Sequence, residues 1–183
     1  IIPVMLCVFF FVTAYGQKSA RWYNKGVRLA KKGNYEQAIH FFNKAITVSP
    51  HFPDALYNRG LAKSNLKDYK GAITDYNKAI AIRPVFPMAL VNRGADRHEL
   101  QQHTEAIADY TLAIELDPAY AKAYYNRGII WYKLGEWRKA VADFAKATEL
   151  KTDYKEAIYN RDIALTRLFM QMGVLLLHAS PYR

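Results

Sequence analysis

The sequence predicts an all-α fold, built as a right-handed α-solenoid of antiparallel helix pairs, and three observations carry that reading. First, four residue series recur with one step of 34: Gly26, Gly60, Gly94 and Gly128; Ala38, Ala72, Ala106 and Ala140; Ala45, Ala79, Ala113 and Ala147; Pro50, Pro84 and Pro118. A fixed period of this size marks stacked helical units, each unable to bury its apolar face alone. Second, apolar and small residues return at three- and four-residue spacing in both halves of every unit, which gives two amphipathic helices. Third, alanine and tyrosine are abundant while the 183 residues include only 9 glycines and 7 prolines, a balance that favours helix.

The chain opens on different material. "IIPVMLCVFFFVTAYGQ" holds an apolar run from Val4 to Val12, then small residues to Gly16. Residues 1–16 are read as the end of a secretory signal peptide, with Gln17 first in the mature chain. The chain lacks an initial methionine and a basic n-region, so the leader is read as truncated upstream. An exported protein, periplasmic or secreted, is therefore expected. The alternative is a membrane anchor, although Ile1 to Val12 is too short to span a bilayer alone. Cys7 is the single cysteine, so no disulfide framework or cysteine metal cluster can form within one chain.

The repeats follow, at 19–52, 53–86, 87–120 and 121–154. In the second, "FPDALYNRGLAKSNL" supplies one helix and "DYKGAITDYNKAIAIRP" the other. Gly60, Ala72 and Ala79 have almost no side chain, so the helices can approach closely there. Tyr69 and Tyr76 are expected to fill the wedge to the neighbouring pair, and Pro84 ends the second helix. Residues 155–183 begin with one more first helix, "YKEAIYNRDIALTRL", read as a degenerate fifth repeat or a C-terminal capping helix. It carries Asp162 in place of the glycine, and Thr152 replaces the preceding proline.

A small residue in the first helix, then Ala, aromatic, Ala and Pro in the second, resembles the tetratricopeptide repeat family, here a bacterial-type exported member, over residues 19 to about 168. The resemblance implies a non-enzymatic scaffold for protein–protein interaction. That family usually has leucine before the glycine; this chain has Lys25, Arg59, Arg93, Arg127 and Arg161. Asp75, Asp109 and Asp143 recur in the second helices with the same period. An Arg–Asp pair, within or between repeats, would satisfy both charges in a partly buried groove.

"RHELQQHTEA", residues 97–106, imitates a zinc motif, with His98 and His103 around Glu99. Zinc hydrolases need histidines at i and i+4 on one helix. Here His103 shares its phase with Tyr35, Tyr69 and Trp137 and starts a second helix, with a turn at Gln101 and Gln102. The stretch is read as a turn. No phosphate loop surrounds Gly71 and no nucleophile elbow occurs, so no catalytic, cofactor or metal site and no small-molecule substrate is expected.

A partner is expected on the concave wall built by the first helices. Asn24, Asn58, Asn92, Asn126 and Asn160 recur at one phase, preceded by Tyr23, Tyr57, Val91, Tyr125 and Tyr159. The expected contact set is Tyr23, Asn24, Tyr57, Asn58, Leu61, Asn92, Lys122, Tyr125, Asn126, Ile129 and Asn160. Asparagines can hydrogen-bond the backbone of an extended peptide, and tyrosines suit binding hot spots. The same asparagine row could equally hold neighbouring repeats together. Some relatives in the family grip chaperone C-termini with a lysine, two asparagines, a lysine and an arginine. This chain departs from that set, with Val27 or Leu61 at the second asparagine phase and Asn126 at the arginine position.

A net charge of +10 points to a protein or peptide partner of acidic character. The 34-residue period, its prolines and the export reading point away from nucleic acid. The competing reading is the interaction arm of a larger enzyme or sensor. Finally, "LFMQMGVLLLHA", residues 168–179, is apolar on more than one side and is expected to self-associate or to dock onto a missing downstream segment, unless it folds back over Ile158 and Leu165.

Overall fold

A computed structural model describes residues 3–178, and the side chains of 17–173. Among the described residues the chain forms nine α-helices and no strand: α1 (Pro3–Lys31), α2 (Tyr35–Val48), α3 (Pro53–Asn65), α4 (Tyr69–Ile82), α5 (Pro87–Glu99), α6 (His103–Leu116), α7 (Ala121–Lys133), α8 (Trp137–Leu150) and α9 (Lys155–His178). Within each of two compact units, helices that follow one another pack together, the arrangement of an all-α solenoid of helix pairs. The chain divides into two compact units, residues 1–100 and 101–183. In the first unit α1 to α5 pack in sequence, and each first helix also touches the next one along. In the second unit α6 to α9 do the same.

Three of the pairs, α1–α2, α3–α4 and α7–α8, close on a contact between glycine and an aromatic ring. A Cβ built on Gly26, Gly60 or Gly128 would fall 2.6 Å from Phe42, 2.6 Å from Tyr76 or 2.8 Å from Phe144. Real Cβ atoms do not sit so close, so glycine lets the ring approach the first helix this closely. Asp162 holds the same phase on α9, and there it is exposed. No helix follows α9 among the described residues, so no ring presses on it and a side chain is tolerated.

The arginine one residue before each glycine has a defined job. Arg59 donates from Nε to Asp75 Oδ2 at 2.8 Å and from Nη2 to Oδ1 at 2.5 Å. Arg127 repeats this on Asp143, with both bonds at 2.8 Å. These pairs lie within one repeat. The remaining Nη1 reaches the preceding second helix, from Arg59 to Asn43 and from Arg127 to Thr111. Arg93 makes the same outward bond to Asn77 at 2.6 Å. One guanidinium thus ties its own pair and the pair before it, which its planar five-donor fork permits. In the first repeat Lys25 and Phe41 take the places of Arg and Asp, and Lys25 Nζ lies 4.3 Å from the ring centroid. A cation–π contact replaces the ion pair there.

The turns between paired helices also keep phase. Gly33, Lys67, Gln101 and Gly135 all have left-handed backbone, with φ of 80°, 62°, 60° and 77°. That conformation ends a first helix tightly and is easiest for glycine. Phe169 stands at the next repetition, followed by Met170 where the other turns have Asn34, Asp68, Gln102 and Glu136. A bulky side chain disfavours left-handed backbone. α9 therefore continues to His178 instead of turning. The backbone thus makes no turn that would fold a degenerate second helix back over Ile158 and Leu165. Phe169, Met170 and Met172 are left exposed on it.

At the other end α1 runs without a break from Pro3 through Gly16 and Gln17 to Lys31. The backbone thus shows no boundary at the expected cleavage point, while the side chains of 1–16, like Leu175, Leu176 and Leu177, lie outside the described residues. Among the described residues no helix is long and apolar enough to cross a membrane.

The ion pairs differ in their reserves, which gives a test. Asp75 also receives Lys63 Nζ at 2.8 Å, whereas Trp131 stands at that phase beside Asp143. Arg127→Ala leaves a buried carboxylate without its fork and should cost about 3–5 kcal/mol in urea unfolding. Arg59→Ala should cost clearly less, because Lys63 still faces Asp75. Equal losses would show that Lys63 contributes nothing.

Candidate protein-interaction face

The first helices α1, α3 and α5 carry the residues expected to meet a partner in the first unit, and α7 and α9 carry them in the second. The Tyr–Asn series is used internally. Asn58 Nδ2 donates to Tyr23 Oη at 3.1 Å, Asn92 to Tyr57 at 2.8 Å, and Asn160 to Tyr125 at 3.1 Å. Each bond joins one first helix to the next. The tyrosine rings are half-buried and lean on the residue that closes their own repeat, just before the next first helix: Tyr23 on Phe52 and Tyr57 on Phe86 at 4.9 Å, Tyr125 on Tyr154 at 4.8 Å. Burial raises the pKa of Tyr23 and Tyr125. The expectation that these tyrosines are exposed anchors is corrected: they clamp neighbouring repeats.

The asparagines retain something to offer. Both Nδ2 hydrogens of Asn58 are engaged, one by Tyr23 and one by the Asp54 carbonyl at 2.8 Å. Its side-chain carbonyl is an acceptor, suited to a backbone N–H. Asn58 and Leu61 share a groove of about 260 Å³ with Val27, Ala30, Tyr35 and Asn65, between α1 and α3. Asn24 and Lys122 are exposed, while Asn92, Asn126, Ile129 and Asn160 are half-buried. Sequence reasoning missed Ala30, Tyr35 and Asn65; Ala30 and Asn65 lie about two helical turns past the asparagine row, and Tyr35 opens the second helix.

A second surface was not anticipated. On the first repeat Trp22 stacks on Phe41 at 5.6 Å, with Lys44 Nζ 4.9 Å from the Trp22 ring. With Lys18 and His40 it borders a shallow depression on α1 and α2.

His98 ends up on α5 and His103 opens α6, with Gln101 in left-handed backbone between them. The imitation of a zinc motif is a turn. Among the described residues no group of three or more histidine, cysteine or carboxylate side chains could hold a metal.

Two family models match this chain, one for the TPR repeat over residues 26–67 and 96–135, one for the tetratricopeptide repeat over 53–86 and 121–154. The chain belongs to the tetratricopeptide repeat family. Among solved structures, MamA protein superposes with a TM-score of 0.78 at 21% identity, covering 87% of each chain. The first TPR of Spaghetti (RPAP3), bound to the HSP90 peptide SRMEEVD, gives a TM-score of 0.64 at 33% identity over 65% of this chain and 94% of that one. Among curated proteins, an uncharacterized protein of Methanocaldococcus jannaschii is 44% identical over 39 residues. That match covers 21% of this chain and 45% of the relative, so the chain spans under half of it.

Within the tetratricopeptide frame Asp96 stands out. It occupies the phase of Ala62, Ile130 and Ala164, all buried and apolar, and is itself 3% exposed, whereas Arg28 at that phase of the first repeat is exposed. Its Oδ1 accepts from Ser64 Oγ on α3 at 2.6 Å, while Oδ2 has no hydrogen-bond partner. Burial raises its pKa to about 6, against the Ser64 bond, and Glu99 on its own helix adds to the rise. Tyr76 on α4, whose hydroxyl is also unpartnered, has its pKa pushed up by burial and by the Asp96 charge.

The sign of the linkage follows. The unfolded carboxyl titrates near the ordinary 3.8 and the folded one near 6, so the folded state binds the proton more tightly. The associated stability is complete below about pH 4 and is lost as pH rises through 6. Asp96→Asn should abolish that slope. Relative to wild type, the variant should gain about 2–3 kcal/mol between pH 4 and pH 7 in denaturant unfolding. An unchanged pH profile would mean that Asp96 ionises without penalty.

Proposed function

We propose that this chain is an exported scaffold that holds an extended protein or peptide segment along its first-helix face and has no catalysis of its own. The chain is a tetratricopeptide protein-interaction module; the groove reading is the finer step. One observation carries it: Asn58 presents an acceptor beside the apolar side chains of Val27 and Leu61 in an open groove, which suits main-chain recognition without a sequence code. A 33%-identical neighbour holding a seven-residue peptide supports the same class of ligand. The net charge of +10 favours acidic segments.

Peptides selected from a random displayed library should shift amide resonances of Val27, Leu61 and Asn65 on titration. Leu61→Glu should weaken them at least about tenfold, since burying an unpaired charge against an apolar ligand is costly. Shifts confined to α2 and α4 would refute the groove.

For the ends of the chain we propose export and self-association. A short apolar run followed by small residues supports the former. N-terminal sequencing of material secreted from the native host should begin at Gln17; a start within Val4–Val12 would favour an anchor. Exposed Phe169, Met170 and Met172 support pairing of two copies through α9. Removal of 169–183 should turn a concentration-dependent dimer into a monomer in sedimentation velocity, and an intact chain that is monomeric at high concentration would sink that proposal.

A further inference from the structure

The positive charge of this chain is not spread along it. Residues 17–52 hold seven lysines and arginines against one carboxylate, Glu36, whereas residues 53–183 hold 19 against 15. Most of the excess therefore sits on the first repeat. Lys18, Arg21, Lys25 and Arg28 recur at three- and four-residue spacing on α1, and Lys32 continues the row in the turn that follows. That spacing puts all five on one side of the helix, in a stripe about 20 Å long. Each is exposed. Lys25 lies over the Phe41 ring, and among the described residues the other four have no carboxylate partner.

The same side is apolar and covered in later repeats. Arg21 and Arg28 hold the phases of Ala55 and Ala62 on α3 and of Ala123 and Ile130 on α7, all buried. Ala62 packs with Ala38 and Phe42 of the preceding second helix. The end of a solenoid needs a polar face, but not one of a single sign. α9 mixes signs, with Glu156, Arg161 and Asp162, and Arg161 Nη2 is 3.0 Å from Asp162 Oδ1. Like charges three and four residues apart repel and weaken their helix, so the α1 stripe is a cost to the fold. Trp22 borders it toward α2, half-buried, with the exposed Lys44 4.9 Å from its ring.

We propose that this face of α1 docks the chain on an anionic lipid bilayer, with the five cations over the headgroup phosphates and the Trp22 indole at the interface. A row of cations beside an indole is the composition that an anionic bilayer surface attracts. A specific protein partner would instead need a recess that buries a central anchor, and the depression beside Trp22 is shallow. The apolar run Val4–Val12 precedes the stripe on the same unbroken helix. Where residues 1–16 are retained, that run enters the same bilayer; where they are removed, the stripe is intact, since it begins at Lys18. Val27 and Ala30 of the peptide groove lie on the far side of α1 from Lys18 and Lys25, so lipid and peptide do not compete.

Flotation of the full chain with vesicles of equal parts phosphatidylglycerol and phosphatidylcholine, beside vesicles of phosphatidylcholine alone, tests this. Wild type should bind the neutral vesicles at least about tenfold more weakly than the anionic ones and should leave the latter as salt is raised. A stripe variant, Lys18→Gln with Arg21→Gln, Arg28→Gln and Lys32→Gln, keeps Lys25 over Phe41 and should lose at least about tenfold in anionic binding. A control, Lys78→Gln with Lys122→Gln, Arg138→Gln and Lys155→Gln, removes the same charge from exposed positions elsewhere and should lose far less. Both variants are checked for wild-type helicity. Equal losses in the two variants would reduce the effect to net charge, and equal binding to both kinds of vesicle would assign it to the apolar run; either overturns the proposal. A wild type that ignores both vesicles overturns it too, and capture of soluble polyglutamate through Arg21 and Arg28 would then assign the face to an acidic protein.

Discussion

The stack depends on how closely two helices can approach at one point. Gly26, Gly60 and Gly128 each lie under an aromatic ring at a distance that a Cβ could not share. That contact brings the second helix near enough for the alanines at 38, 72 and 140 to be fully buried. It also brings the arginine beside each of Gly60 and Gly128 within reach of an aspartate on the second helix. Close packing of the ring supplies the apolar burial, and the arginine fixes rotation about the contact by forming two parallel bonds. Where the ring is absent, over Asp162, the chain continues as a single helix.

Propagation from pair to pair rests on different groups. The outward Nη1 bonds of Arg59, Arg93 and Arg127 reach back to the preceding second helix, and Tyr–Asn bonds join successive first helices. Polar groups therefore set the register between neighbours while apolar burial stabilises each pair. Such a division suits a repeat protein, in which stability comes from each unit and its nearest interfaces. It also explains why few of the expected partner-binding residues are idle. A tyrosine or asparagine at the seam between first helices is recruited by the adjacent repeat before any ligand arrives.

The face that remains for a ligand is correspondingly uneven. Between α1 and α3 it is apolar with an acceptor rim, whereas α3 and α5 are joined by the buried Ser64–Asp96 hydrogen bond. A regular scaffold thus carries an irregular recognition surface. The irregularity includes Ser64, Asp96 and Glu99, at positions that vary while the packing positions repeat.

Period and phase determined much of this protein from sequence alone. The step of 34 located every helix pair, the turn at Gln101, and the close contact at Gly60, because each depends on side-chain size at a fixed position. The same phase placed Asn58 and Leu61 on the groove wall. What phase could not decide was which neighbour a polar group would choose. Arg59 had aspartates within reach inside and outside its repeat, and only the packed helices put Asp75 at 2.5 Å and left Nη1 for Asn43. The tyrosine series read as ligand anchors, and in three dimensions its rings also lean on Phe52, Phe86 and Tyr154 and stay half-buried. The course of the last helix was decided by the same kind of fact, since a left-handed turn needs a backbone that Phe169 resists. Local size and periodicity are written in the chain, whereas partner choice among polar side chains is a matter of distance in three dimensions.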